Sequence, residues 1–155
     1  WSIQTPSDLP MPFGLSDNEM DGKTKYSIDV RMDRSRDDVS KFVDTVAAFN
    51  DHIIDIAAQR SQEWFGSALT REVVKHKFIS SIKHNNKDYE PMMRTKVRTD
   101  RDGRVTTKTF DSSRSEIDLT SLTRHCKVVM IISMPFVYFS AGSFGVTSKV
   151  DQVMV

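Results

Sequence analysis

The run Lys127-Val128-Val129-Met130-Ile131-Ile132-Ser133-Met134 constrains this chain more than any other stretch. It is almost wholly apolar and short, so it reads as a strand buried on both faces of a sheet. Pro135 ends it by removing a ladder donor. The segment Phe136-Val137-Tyr138-Phe139 follows, then a turn at Ala141-Gly142-Ser143, then a second strand from Phe144 to Val155. Simple alternation puts Val146, Ser148, Val150, Gln152 and Met154 of that strand on one face. The two strands are expected to run antiparallel, with the aromatic corner at the rim of the sheet. Rings at a rim suit flat ligands, and nucleic-acid bases are the first candidates.

At 155 residues the chain is long enough for one domain with one core. Its 22 basic and 21 acidic side chains nearly cancel, but they are unevenly spread. Residues 1–70 hold seven basic and twelve acidic groups, residues 71–110 eleven and five, and residues 111–155 four of each. The positive charge gathers mid-sequence, as a phosphate-binding surface requires. Cys126 is the only cysteine, which excludes an internal disulfide and a cysteine-based zinc site and points to a reducing compartment. No apolar run reaches membrane-spanning length, and no signal peptide is visible. The start at Trp1 reads as a processed form or a fragment.

Taken in order, residues 1–22 read as an irregular arm with Trp1, Met11, Phe13 and Leu15 as docking side chains. A domain over residues 23–155 is expected to follow. Lys23 to Met32 alternates as a half-buried strand. Ser35 and Asp38 suggest a capping box, and the helix behind them should run to about Trp64 and stop at Gly66. Val39, Phe42, Val43, Val46, Phe49, Ile53, Ile56, Ala57 and Trp64 supply its apolar face. A short helix opened by Thr70 should end near Lys77. Lys75, His76, Lys77, Lys83, His84 and Lys87 form a basic cluster running into a loop or short strand over residues 78–90. Met92 to Arg98 alternates so that Arg94, Lys96 and Arg98 share one face, which must be wet or touch an anion. Asp100-Arg101-Asp102-Gly103 is a hairpin turn, and Arg104 to Phe110 is the expected return strand.

These segments imply a mainly β protein with one long helix after the first strand. Five strands most economically close into a small antiparallel barrel, because an open sheet would leave bare edges. The candidate single-strand-binding residues are Arg94, Lys96, Arg98, Lys108 and Lys149 for phosphates, with Phe136, Tyr138 and Phe144 for stacking bases. His52, His76, His84 and His125 show no metal-ligand spacing. Asp100-x-Asp102-Gly103 lacks the distal Glu of a calcium loop. Gly142-Ser143-Phe144-Gly145 fits the GXXG string of KH domains but joins strands instead of helices. No phosphate loop, dinucleotide fingerprint or nucleophile elbow occurs, so no enzyme and no cofactor are expected.

Several segments together resemble the phage T7-type single-stranded DNA-binding proteins, and among them the related proteins of large nucleocytoplasmic DNA viruses of eukaryotes. They are Lys25-Tyr26-Ser27-Ile28-Asp29-Val30 with its long helix, Tyr89 to Val97, Met134-Pro135-Phe136-Val137-Tyr138-Phe139, and Gly142 to Val155. The resemblance covers roughly Lys23 to Val155. It implies an OB-fold, a five-stranded barrel with a packed helix that binds single strands along its outer face. An aromatic follows the proline after the fourth strand in that family, and Phe136 and Tyr138 stand there. The phage-type proteins also carry an acidic C-terminal tail ending in an aromatic, and this sequence has none at Val155. The implied partners are single-stranded DNA and replication proteins, with a homo-oligomer also compatible and no membrane. The implied place is intracellular, at sites of DNA replication in a nucleus or a cytoplasmic viral factory. A structural or assembly subunit and an RNA-binding OB protein remain alternatives.

Overall fold

The computed structural model describes residues 1–84 and 88–155. Lys87, counted above with the basic cluster, lies outside the described residues. Three strands come first: β1 (Ser2–Gln4), β2 (Leu9–Pro10) and β3 (Leu15–Met20). β4 (Lys23–Arg31) leads into the helices α1 (Asp37–Gln59), α2 (Ser61–Phe65) and α3 (Arg71–Lys77). Then come β5 (Phe78–Ile79), β6 (Ile82–Lys83), β7 (Met92–Val97) and β8 (Lys108–Phe110). β9 (Lys127–Ser133), β10 (Val137–Ser140), β11 (Ser143–Val146) and β12 (Lys149–Met154) complete the order.

The main sheet runs β1-β9-β12-β7-β4-β3, and a smaller one runs β10-β11-β5. The closed, five-stranded antiparallel barrel is therefore corrected. The described residues form twelve strands, the sheets do not close, and β12 runs parallel to both β7 and β8. Residues 1–22 explain the difference, because they are not an irregular arm. β1 lies along β9 and β3 along β4, so the first residues cover edges that closure would otherwise have to remove. The β3–β4 turn is made by Asp21 and Gly22 with φ of 55° and 71°, the left-handed pair that matches hairpin twist. At the far end, the Trp1 ring stacks on Phe49 of α1 with centroids 4.4 Å apart.

Two further expectations change inside the sheet. β9 is not buried on both faces: Val128, Met130 and Ile132 point into the core, while Val129, Ile131 and Ser133 are half-buried on the outer face. β7 and β8 do not make a long hairpin. Only Thr99 and Val105 bridge across the Asp100–Gly103 turn, after which both segments pair with β12. The register of β12 against β9 shifts between Val150 and Gln152, so Val150 and Val153 both face inward and strict alternation fails. Arg98 fills this bulge. Its guanidinium donates to the Asp151 carboxylate and to Ser133 Oγ at 2.6 Å. Thr107 Oγ1 accepts from Arg98 N and donates to the Val150 carbonyl, which hands β12 over from β7 to β8.

The long helix packs where its apolar stripe predicts. Val39, Phe42, Val43 and Val46 meet Ile28, Val30, Met93, Met130 and Ile132 in the main core. Ile54 and Ala57 join Val74 and Phe144 in a second cluster under the small sheet. The helix begins at Asp37 with Arg36 as N-cap, not at Ser35. Asp33 instead accepts from Ser35 N at 2.9 Å and Ser35 Oγ at 2.6 Å, closing the turn before the helix. Hydrogen bonds from Ser35 hold the Asp33 carboxyl below its usual range. Gly66 ends α2 at φ 75°, and Thr70 caps α3 by accepting from Val73 N.

Candidate nucleic-acid interface

Alternation along β7 buries Met93, Thr95 and Val97 and turns Arg94 and Lys96 outward. Pairing then sets Ser27, Lys96, Lys149 and Ser133 side by side across β4, β7, β12 and β9. Lys96 and Lys149 are thus neighbours on one outer face. Among the described residues neither ammonium makes a salt bridge or a side-chain hydrogen bond. Each instead has a ring beside it. Lys96 Nζ lies 6.0 Å from the Tyr138 centroid and Lys149 Nζ 5.3 Å from the Phe136 centroid, both within cation–π range.

Gly145 holds this arrangement open. It is the ladder partner of Tyr138, and a Cβ there would sit 2.7 Å from the Ile79 carbonyl and 2.8 Å from Tyr138 Oη. Only a residue without a side chain lets the Tyr138 ring lie across β11 while β5 pairs on its other side. The opposite face of β10 belongs to the second core. Of the GXXG-like string only Gly142 lies in the hairpin turn, with Ala141 and Gly142 at φ 47° and 81°, and the other three residues belong to β11.

The remaining sequence candidates are placed differently. Arg94 makes a bidentate pair with Asp29, both bonds 2.8 Å, and covers a carboxylate that is otherwise buried. The Asp29 hydrogen bond first, and its charge second, raise the Arg94 guanidinium above its ordinary value. Arg98 is tied to Asp151 and Ser133 at the bulge, and Lys108 pairs with Glu116 at 2.9 Å. Phe144 is corrected outright. It is 0% exposed, with the rings of Phe65 and Phe78 each 5.3 Å away, so it is core and not a stacking surface. Its neighbour Phe139, which the sequence did not single out, is the exposed edge of that cluster.

The crystal structure of gp2.5, a single-stranded DNA-binding protein encoded by bacteriophage T7, matches with a TM-score of 0.66 at 12% identity, over 99% of this chain and 90% of that one. The single-stranded DNA-binding protein from bacteriophage Enc34, solved in complex with ssDNA, matches with a TM-score of 0.57 at 15% identity, over 99% and 84%. At such identities the likeness is one of fold, and the fold is that of the T7-type single-stranded DNA-binding proteins. A family of unknown function, DUF5871, matches residues 24–155. The chain belongs to that family. No curated protein matches the sequence.

In this family member no described helix is long and apolar enough to cross a membrane. The Arg94–Asp29 pair carries a prediction of its own. Arg94→Ala strips the cover from a buried carboxylate and is expected to cost about 1–3 kcal/mol, the penalty of an unsatisfied buried polar group eased by the water that enters. Urea unfolding measures this. An unchanged midpoint together with weakened oligonucleotide binding would make Arg94 a strand contact instead of a structural one.

Proposed function

We propose that this protein is a sequence-nonspecific, non-enzymatic single-stranded DNA-binding protein that protects exposed strands in replication, recombination or repair. The observation that carries the reading is the pair Lys96 and Lys149, without an ion pair among the described residues and each beside a ring on one outer sheet face. Cations that track a backbone, next to rings on which bases stack, are what sequence-tolerant strand binding requires. The fold shared with two phage single-stranded DNA-binding proteins, one solved with ssDNA, supports it. Such a protein works where single strands arise, at sites of DNA replication and beside replication proteins. In the setting that the sequence resemblance suggests, a large nucleocytoplasmic DNA virus, those sites are a nucleus or a cytoplasmic viral factory.

Titrating labelled oligo-dT at several salt concentrations tests the reading. Binding should need no metal or nucleotide and should weaken linearly in log salt. Lys96→Ala and Lys149→Ala should each flatten the slope by about 0.7, the counterion released per single-strand phosphate contact. Matched RNA binding more tightly than DNA would shift the reading to an RNA-binding protein. No binding to either, with stable oligomers instead, would favour an assembly subunit.

A further inference from the structure

On the same outer face, Arg94 lies two residues from Lys96 along β7, and Met92 two residues beyond it. There the sheet opens into a cleft of about 740 Å³, lined by Phe13, Arg31, Lys83, Tyr89, Met92 and Arg94. That volume falls within the range of small-molecule sites, about 300–1,000 Å³. Its charges balance, because Asp29, Asp88 and Glu90 also line it. Asp29 is taken by Arg94, and Glu90 lies 3.6 Å from Arg31. Two aromatic side chains stand exposed at this cleft, Tyr89 at 73% and Phe13 at 58%.

A rigid aromatic turned to water contributes nothing to the core, and two at one cleft make an apolar surface with polar groups around it. A phosphate would find no net positive charge there. An uncharged base would find rings for its faces and guanidinium N–H donors for its edges. At about 3.3 Å per residue, Met92 lies roughly 13 Å from Lys96 along the strand, so the cleft continues the face that carries the lysine–ring pairs. We propose that this cleft is a base-binding subsite farther along the path of the same single strand, with Tyr89 and Phe13 as its stacking groups. This rests on the single-strand reading and adds a second anchoring point to it.

The experiment compares oligo-dT of increasing length on wild type, Tyr89→Ala and Phe13→Ala, with an iododeoxyuridine-labelled oligomer for photo-crosslinking. Both side chains are exposed, so the variants should fold as wild type does. For oligomers too short to reach from Lys96 to the cleft, all three should bind alike. For longer ones the variants should lose at least about fivefold in affinity, the lower end of a stacked base. The crosslink should map to Tyr89 or Phe13 in long oligomers only, with excess thymidine monophosphate leaving it unaffected. Variants that match wild type at every length, while wild type binds, would overturn the subsite and leave the single-strand reading intact. Protection of the crosslink by the free mononucleotide would make this a nucleotide pocket and overturn the strand path. Wild type that binds no oligomer at all would remove both.

Discussion

Replacing Phe144 with alanine is expected to lower the unfolding free energy by about 3–5 kcal/mol, the cost of emptying a buried aromatic site. The ring is fully enclosed by Trp64, Phe65, Phe78 and Phe139, with centroids 5.3 to 6.4 Å away. Those partners come from α2, β5 and β10, so the ring joins the helical segment to the small sheet. Small domains hold only about 5–15 kcal/mol in total, so this one change removes a large share. Denaturant midpoints would show it directly. Phe144→Leu keeps most of the volume and should recover much of the loss. It should also bind oligo-dT as wild type does, because this ring does not meet the strand. A Phe144→Leu protein that is stable but binds poorly would return the ring to the binding surface.

The largest expected effect on binding comes from Phe136 and Tyr138. A stacked base contributes about 1–3 kcal/mol by alanine substitution, so each change should weaken oligo-dT binding by roughly five- to 150-fold. Phe136 is 54% exposed, so Phe136→Ala should leave the unfolding midpoint almost unmoved. Tyr138 is half-buried across Gly145, so its removal should carry a small stability cost as well. Phe136→Leu separates apolar contact from ring stacking, and it should bind nearly as poorly as the alanine variant. Fluorescence anisotropy at fixed salt measures all three. Equal affinity in wild type and the Phe136→Ala, Tyr138→Ala double variant would remove the interface.

The two classes of candidate residue differ in how far sequence could reach them. Arg94, Lys96 and Arg98 were found together because a strand alternates, and their outward direction follows from the residues between them. Which of them carries free charge did not follow. Asp29 lies 65 residues from Arg94 in sequence and Asp151 lies 53 from Arg98, and only sheet register brings each pair into contact. Lys96 has no ion pair among the described residues, because its register partners are Ser27 and Lys149, which offer no carboxylate. The rings divide for a similar reason. Phe136, Tyr138 and Phe144 share composition, yet a hairpin turn lies between Tyr138 and Phe144 and sends the last ring inward.

What the sequence determined by itself was local: the long amphipathic helix, though it ends at Gln59 and not near Trp64, the glycine stop at Gly66, which closes α2 instead, the Thr70 cap, the alternating β4 and β7, and the apolar β9. Each depends on a repeat or a backbone preference acting within a few residues. Tertiary structure decided the rest. It took the first residues as edge strands, set β12 parallel to β7 and β8, and opened the expected barrel into a sheet. Those outcomes depend on hydrogen bonds between distant segments, on a bulge filled by Arg98, and on which edges remained to be covered. None of these leaves a periodic trace in the chain.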